Sequence, residues 1–191
     1  MTWNPSAHEF TDALASSAPT PGGGAAAAMA GAMGCALGMM ALRTTLKRKN
    51  TPQTHVPFLE KSLEILNFLH EELKNLITQD AQAYEAYLAA SKLPKENITR
   101  TQAVQEALWQ ATCIPAQTAQ ACRQVSNELA SVLPYIANII RSDVHCAQHL
   151  LTGALACCVE NIRANAPYIT SAQQQAQLQK WIKTFSQGSS R

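Results

Sequence analysis

Aromatic and charged side chains are scarce in this sequence: aromatics make up 6% of its 191 residues and charged residues 15%, against 47% hydrophobic residues. A core built on large rings is excluded, so the interior must come mainly from Ala, Leu and Met, a composition that favours close-packed helices. No window alternates apolar and polar residues in the manner of a half-buried strand. Dense Lys/Arg clusters are missing as well. The longest basic run is Lys47-Arg48-Lys49 and the formal net charge is +2, which argues against a nucleic-acid partner. The six cysteines, at 35, 113, 122, 146, 157 and 158, form no CxxC pair and several lie in apolar helical stretches. They read as buried thiols in a reducing, cytoplasmic compartment. A secretory signal needs a basic segment ahead of its apolar run, and here Glu9 and Asp12 stand in that place. Residues 25–42 are uncharged, but they contain only two Leu and no Ile, Val or Phe. The drive into hydrocarbon is weak, and a buried helix of small residues is expected instead of a membrane span.

What is present divides at its breakers into helices. Ser6 and Glu9 have the spacing of a capping box and open a short helix ending near Ala15. Ser16 to Gly24 is a loop, and a second helix starts within the glycines and runs to about Leu46. Apolar residues then recur at helical spacing from about Val56 to Ser91, giving one long helix or two end to end. Leu93-Pro94-Lys95 stops it, and Thr99 with Gln102 caps the next helix, which must absorb Pro115 as a kink or a restart. A further helix is expected from Pro134 to about Asn165, and a Gln-rich one from about Ser171 to Phe185. Residues 188–191 read as a frayed tail. The expectation is an all-α, single-domain bundle of roughly five to seven helices spanning 1–191, one or two of them long.

The stretch PTPGGGAAAAMAGAMG, residues 19–34, is the most unusual in the chain. It is not a Walker loop, because no Lys follows the glycines until Lys47, and no buried strand precedes it as a dinucleotide fingerprint requires. Pro21, Gly22, Gly23 and Gly24 instead lead into a helix whose first N–H groups lack partners and can meet a polar ligand edge. Further along, Ala27, Gly31, Gly34 and Gly38 share one face, a seam for close packing against another helix of this chain or a second copy. His145 and His149 have i, i+4 spacing, but Cys146 replaces the carboxylate of a metalloprotease motif and spacing supplies no third ligand, so no metal is expected. Two acids stand in apolar surroundings, Asp80 and Asp143. Burial would raise either toward the range useful in acid/base work, whereas an ion pair with Arg141 would make Asp143 merely structural.

PTPGGGAAAAMAGAMGCALGMM, Asp80-Ala-Gln-Ala-Tyr84, LPK at 93–95 followed by Arg100, Pro115, and Ser142-Asp143 followed by an Ala-rich helix ending in ENIRAN occur in a consistent order over roughly residues 5–170. In this combination the chain resembles the C-terminal family of formiminotransferase-cyclodeaminase, which includes formiminotetrahydrofolate cyclodeaminases and methenyltetrahydrofolate cyclohydrolases. The resemblance implies an all-helical homodimer with a folate site near the subunit interface, no metal or redox cofactor, and a carboxylate as acid/base group. Positions matching the family's motifs make Asp143 the first choice for that carboxylate and Asp80 the second. The Pro21–Gly24 turn and Ser142 would contact the pterin or its one-carbon unit, and Lys47, Lys49 or Lys95 the glutamate tail. Both family reactions stay open: closing 5-formiminotetrahydrofolate to 5,10-methenyltetrahydrofolate with loss of ammonia, or hydrolysing the methenyl group. Ala25 stands where the family commonly has Ser, Leu46 where it has Gly, and Asn138 alone remains of an Asn-rich approach to Ser142. These departures support a rival reading, a helical binding or scaffold protein of the same fold with altered or lost chemistry.

Overall fold

The computed structural model describes residues 7–95 and 98–186, and among them every regular element is helical. Six α-helices follow one another: α1 (Ala7–Ala15), α2 (Gly23–Leu46), α3 (Val56–Ser91), α4 (Arg100–Val132), α5 (Arg141–Asn165) and α6 (Ala172–Ser186). Ser6 and the tail at 188–191 lie outside the described residues. The region Val56–Ser91 is one continuous helix. Pro115 neither ends nor restarts α4, which runs through it.

One boundary differs from expectation. Residues 134–140 do not open α5: Leu133–Tyr135 and Asn138–Ile140 are separate 3₁₀ turns, and α5 begins only at Arg141. Between the turns Ile136 is extended and almost fully buried, so the core holds it out of helical geometry. Arg141 closes the corner by donating to the carbonyls of Ile136 and Pro134 at 3.1 and 3.2 Å. Its guanidinium is therefore committed to backbone, not to Asp143.

α2 is the centre of the bundle. Gly24 meets Asp80 and Gly31 meets Leu73, so α3 runs antiparallel to it; Gly23 meets Asn161 and Gly34 meets Leu151, so α5 does too. Gly31 also faces Cys122 and Gly38 faces Leu129, which sets α4 parallel to α2 across the core. The small-residue face is thus a seam within the chain. α2 is long and apolar enough to cross a membrane, but most of its apolar stretch is buried by α3, α4 and α5. Around it Leu59, Leu66, Leu73, Leu129, Leu151 and Ile162 are fully buried or nearly so, each contributing about 2 kcal/mol. α6 leans on the bundle through stacked Trp109 and Trp181, their centroids 5.4 Å apart. Of the six thiols, Cys35, Cys122 and Cys158 are buried and Cys113 is half-buried, but Cys146 and Cys157 are exposed on the outer face of α5. The expectation of uniformly buried cysteines fails for these two because the inward turn of α5 is taken by Ala147, Ala154 and Cys158.

Glycines in similar helical settings are expected to respond oppositely to a methyl group. A Cβ at Gly31 would stand 2.5 Å from the Sγ of buried Cys122, whereas Gly153 on α5 has nothing within 4 Å. Gly31→Ala should lower stability by about 1–3 kcal/mol, overpacking exceeding the gain in helix propensity, and Gly153→Ala should raise it by about 0.5–1 kcal/mol. Urea unfolding of the two variants checks this, and equal shifts would contradict the packing described.

Candidate active site

Local periodicity turns one stripe of each long helix toward a common cleft of about 470 Å³. α3 presents Asp80, Tyr84 and Tyr87, spaced i, i+4, i+7, and α4 presents Leu108, Ala111 and Pro115. Asn161 and Asn165 come from the last turns of α5, and Gly22, Gly23 and Gly24 from the start of α2, preceded by Pro19 and Thr20. The 3₁₀ turn Ala166–Tyr168 adds Tyr168. That turn is fixed from two sides. Gln105 of α4 donates to the Tyr168 carbonyl and accepts from the Thr170 N–H, both at 3.0 Å, and Gln175 of α6 donates to the carbonyls of Ala166 and Ile169. The size suits a small organic ligand.

The centre of the cleft is a contact between α3 and the first turn of α2. Asp80 Oδ2 accepts the Ala25 N–H at 2.8 Å, so a carboxylate 55 residues away caps the helix. Gly24 makes the approach possible. A Cβ there would overlap Asp80 Oδ1 and stand 2.6 Å from its Cγ. Ala25 serves through its backbone; its side chain is fully buried. Burial raises the Asp80 carboxyl above its ordinary value, and the Ala25 N–H partly opposes the shift. The Ala26 N–H returns to the Gly22 carbonyl at 3.0 Å, which leaves the N–H groups of Gly23 and Gly24 as the donors this helix end offers. Asn161 packs on Gly23, its Nδ2 donating to the Cys157 carbonyl at 2.8 Å. A carboxylate with a raised proton affinity, two backbone donors and a carboxamide therefore converge beside three tyrosines, an arrangement suited to moving a proton next to a bound heterocycle.

The residues singled out in the sequence fall into two groups. Gly22, Gly23, Gly24 and Asp80 meet in the cleft. Pro21 follows a cis peptide bond and is buried; Pro19 and Thr20 line the cleft in its stead. Ser142 and Asp143 occupy the first turn of α5, about 27 Å along the helix from Asn161. Lys47 and Lys49 lie beyond the far end of α2, Lys47 about 36 Å along from Gly23. Within one protomer these four residues belong to the opposite end of the bundle, where Thr45 Oγ1 accepts the Ala137 N–H. Lys95 is exposed in the turn after α3 and does not line the cleft. Tyr84, Tyr87, Asn161, Asn165 and Tyr168 were not singled out in the sequence. Tyr84 closes the DAQAY motif and the asparagines stand in ENIRAN, so a signal existed, but it carried no direction until the helices were packed.

The model of the formiminotransferase-cyclodeaminase family matches residues 6–184. A methenyltetrahydrofolate cyclohydrolase from Methylorubrum extorquens is 36% identical over 171 residues, covering 87% of this chain and 81% of that protein. The formimidoyltransferase-cyclodeaminase of Sus scrofa is 29% identical over 183 residues, and the match spans 34% of that longer protein. Among solved structures, formiminotetrahydrofolate cyclodeaminase from Thermotoga maritima superposes with a TM-score of 0.87 at 25% identity, covering 97% of this chain and 90% of that one. With the family model spanning α1 to α6 and the glycine turn built against Asp80, the chain belongs to the formiminotransferase-cyclodeaminase family.

Proposed function

We propose that the protein is a folate one-carbon enzyme acting on the N5/N10 carbon of tetrahydrofolate, first as a methenyltetrahydrofolate cyclohydrolase, with Asp80 as its acid/base group. The observation that carries this reading is the Asp80 carboxylate, raised in proton affinity and held at a glycine turn inside a ligand-sized cleft. Preference for hydrolysis rests on the Methylorubrum relative, matched over most of its length. Ring closure with ammonia loss is the second reading, favoured by the likeness to the Thermotoga structure.

In hydrolysis, Asp80 takes a proton from water as the water oxygen bonds to the cationic methenyl carbon. The C–N5 bond then breaks, N5 receives a proton and the hydroxyl loses one, giving 10-formyltetrahydrofolate with one net proton released. The Gly23 and Gly24 N–H groups would donate to the oxygen that gains negative character, and ionised Asp80 would offset the substrate's positive charge. In the deaminase direction N10 attacks the amidine carbon, Asp80 accepts the N10 proton, and a proton goes to the departing ammonia. These balances require no metal or redox cofactor. A positioned acid/base group is worth about 10²- to 10⁴-fold, with orientation by Tyr84, Tyr87 and Asn161 adding to it.

The reading includes a homodimer, for which α2 offers a surface. Gly23, Ala26, Ala30, Met33, Leu37 and Met40 recur at alternating steps of three and four along its outer side. Met33 and Met40 are 51% and 39% exposed, and none of the six is charged. This is the spacing of a helix–helix seam. With the two-fold axis perpendicular to α2 the paired helices run antiparallel, and this pairing would carry the partner's Lys47, Lys49, Ser142 and Asp143 toward the cleft end of the first protomer. In such a dimer Asp143 and the lysines would reach the folate site from the partner, a placement that one protomer does not provide. We place the enzyme in the cytoplasm, as its free thiols suggest.

Purified protein is expected to convert 5,10-methenyltetrahydrofolate, followed by its absorbance, with 5-formiminotetrahydrofolate assayed alongside. Asp80→Asn should lower the rate at least about 100-fold. Failure of both substrates would favour the scaffold reading. Because the folded-state value of Asp80 lies above that of the unfolded chain, folding takes up a proton, and stability should fall as pH rises through that window. Asp80→Asn should remove this fall, so that the variant matches or exceeds the wild type in thermal stability at neutral pH; a large loss there would show that the helix cap outweighs the cost of burying the carboxylate. Met33→Glu combined with Met40→Glu should convert a dimer to a folded monomer in sedimentation velocity, and a monomeric wild type would rule out the seam.

A further inference from the structure

Pro115 lines the cleft, yet the chemistry proposed above gives it no role. It stands in the interior of α4, a 33-residue helix that continues on both sides of it. Such a proline has no N–H to give to the carbonyl four residues back, and its ring crowds that carbonyl, a cost that helices avoid unless something offsets it. The carbonyl concerned is that of Ala111. Ala111 and Pro115 share the face of α4 that looks across the cleft toward Asp80, Tyr84 and Tyr87. Neighbouring carbonyls in α4 are treated differently. Those of Leu108 and Ile114 each receive a threonine hydroxyl, from Thr112 at 2.7 Å and Thr118 at 3.1 Å, in addition to the helical ladder. The break in the ladder thus falls on the cleft side, at the height of the acid/base group.

Resting on the folate reading of this cleft, we propose that Pro115 is a specificity device: by withholding an N–H it keeps the Ala111 carbonyl as a hydrogen-bond acceptor for an N–H on the aminopyrimidine edge of the substrate's pterin ring. That edge carries a ring N–H and an exocyclic amino group, and a site for it needs acceptors. Asp80 is occupied with the one-carbon unit, the Gly23 and Gly24 N–H groups are donors, and Asn161 Oδ1 supplies one acceptor on the glycine side of the cleft. A backbone acceptor on the opposite wall completes the set without adding a second charge beside Asp80, which would raise its proton affinity further. The carbonyl is fixed by α4, so it reads the ring's position as well as its chemistry. A binding contact of this kind, made equally in the ground and transition states, shows in KM and not in kcat.

Pro115→Ala restores the N–H and closes the Ala111 carbonyl back into the helix. The expected result is a KM for 5,10-methenyltetrahydrofolate raised at least fivefold, kcat within twofold of wild type, and a Tm equal to or above wild type. A purely structural proline would change Tm while leaving KM alone. A folded Pro115→Ala with KM within twofold of wild type overturns the proposal while leaving the folate reading intact. Should Pro115→Ala not fold, Pro115→Ser supplies the same N–H and is judged by the same criteria. Wild-type protein that neither turns over the methenyl substrate nor binds folic acid by calorimetry overturns the folate reading itself.

Discussion

The contact between the Asp80 carboxylate and the Ala25 N–H is the constraint on which the functional end of the molecule depends. It joins the C-terminal half of α3 to the first turn of α2, and it exists only because Gly24 has no side chain. The same contact has two opposing effects. It caps a helix that lacks a side-chain cap of its own, since Gly22 at the N-cap offers none. It also holds a carboxyl where burial penalises the charged form. The helix end gains stability and the acid keeps a raised proton affinity, so one interaction serves both the fold and the proton chemistry proposed for it.

The remainder of the bundle reads as support for that contact. α2 is made of residues small enough for α3, α4 and α5 to pack directly against its backbone, and Gly31, Gly34 and Gly38 each take a side chain from a neighbour. This close packing brings four helices within reach of one ligand. A helix of larger side chains in that position would hold the walls further apart. The cost appears on the outer side of α2, where Met33 and Met40 are left in solvent.

Much of the fold was legible in the sequence because helices are local. The spacing of Leu59, Leu66, Leu69, Leu73 and Leu76 marks α3, the glycines mark the start of α2, and both readings agree with the structure within a residue or two. The start of α5 was not legible. Residues 134–140 have no feature that forbids a helix after Pro134, and the extended conformation of Ile136 is imposed by its burial in a core assembled from distant segments.

For the candidate site the division is sharper. By itself the sequence determined the all-helical class, the glycine turn, the two suspect acids and, through motif order, the family, since each depends on residue type and near-neighbour spacing. Tertiary structure alone decided which of them meet. Asp80 joins the glycines across 55 residues, while Asp143, Ser142, Lys47 and Lys49 lie at the other end of antiparallel helices. Two residues on equally apolar helices look alike in sequence; helix direction and length, which turn separation along the chain into separation in space, are what set them apart.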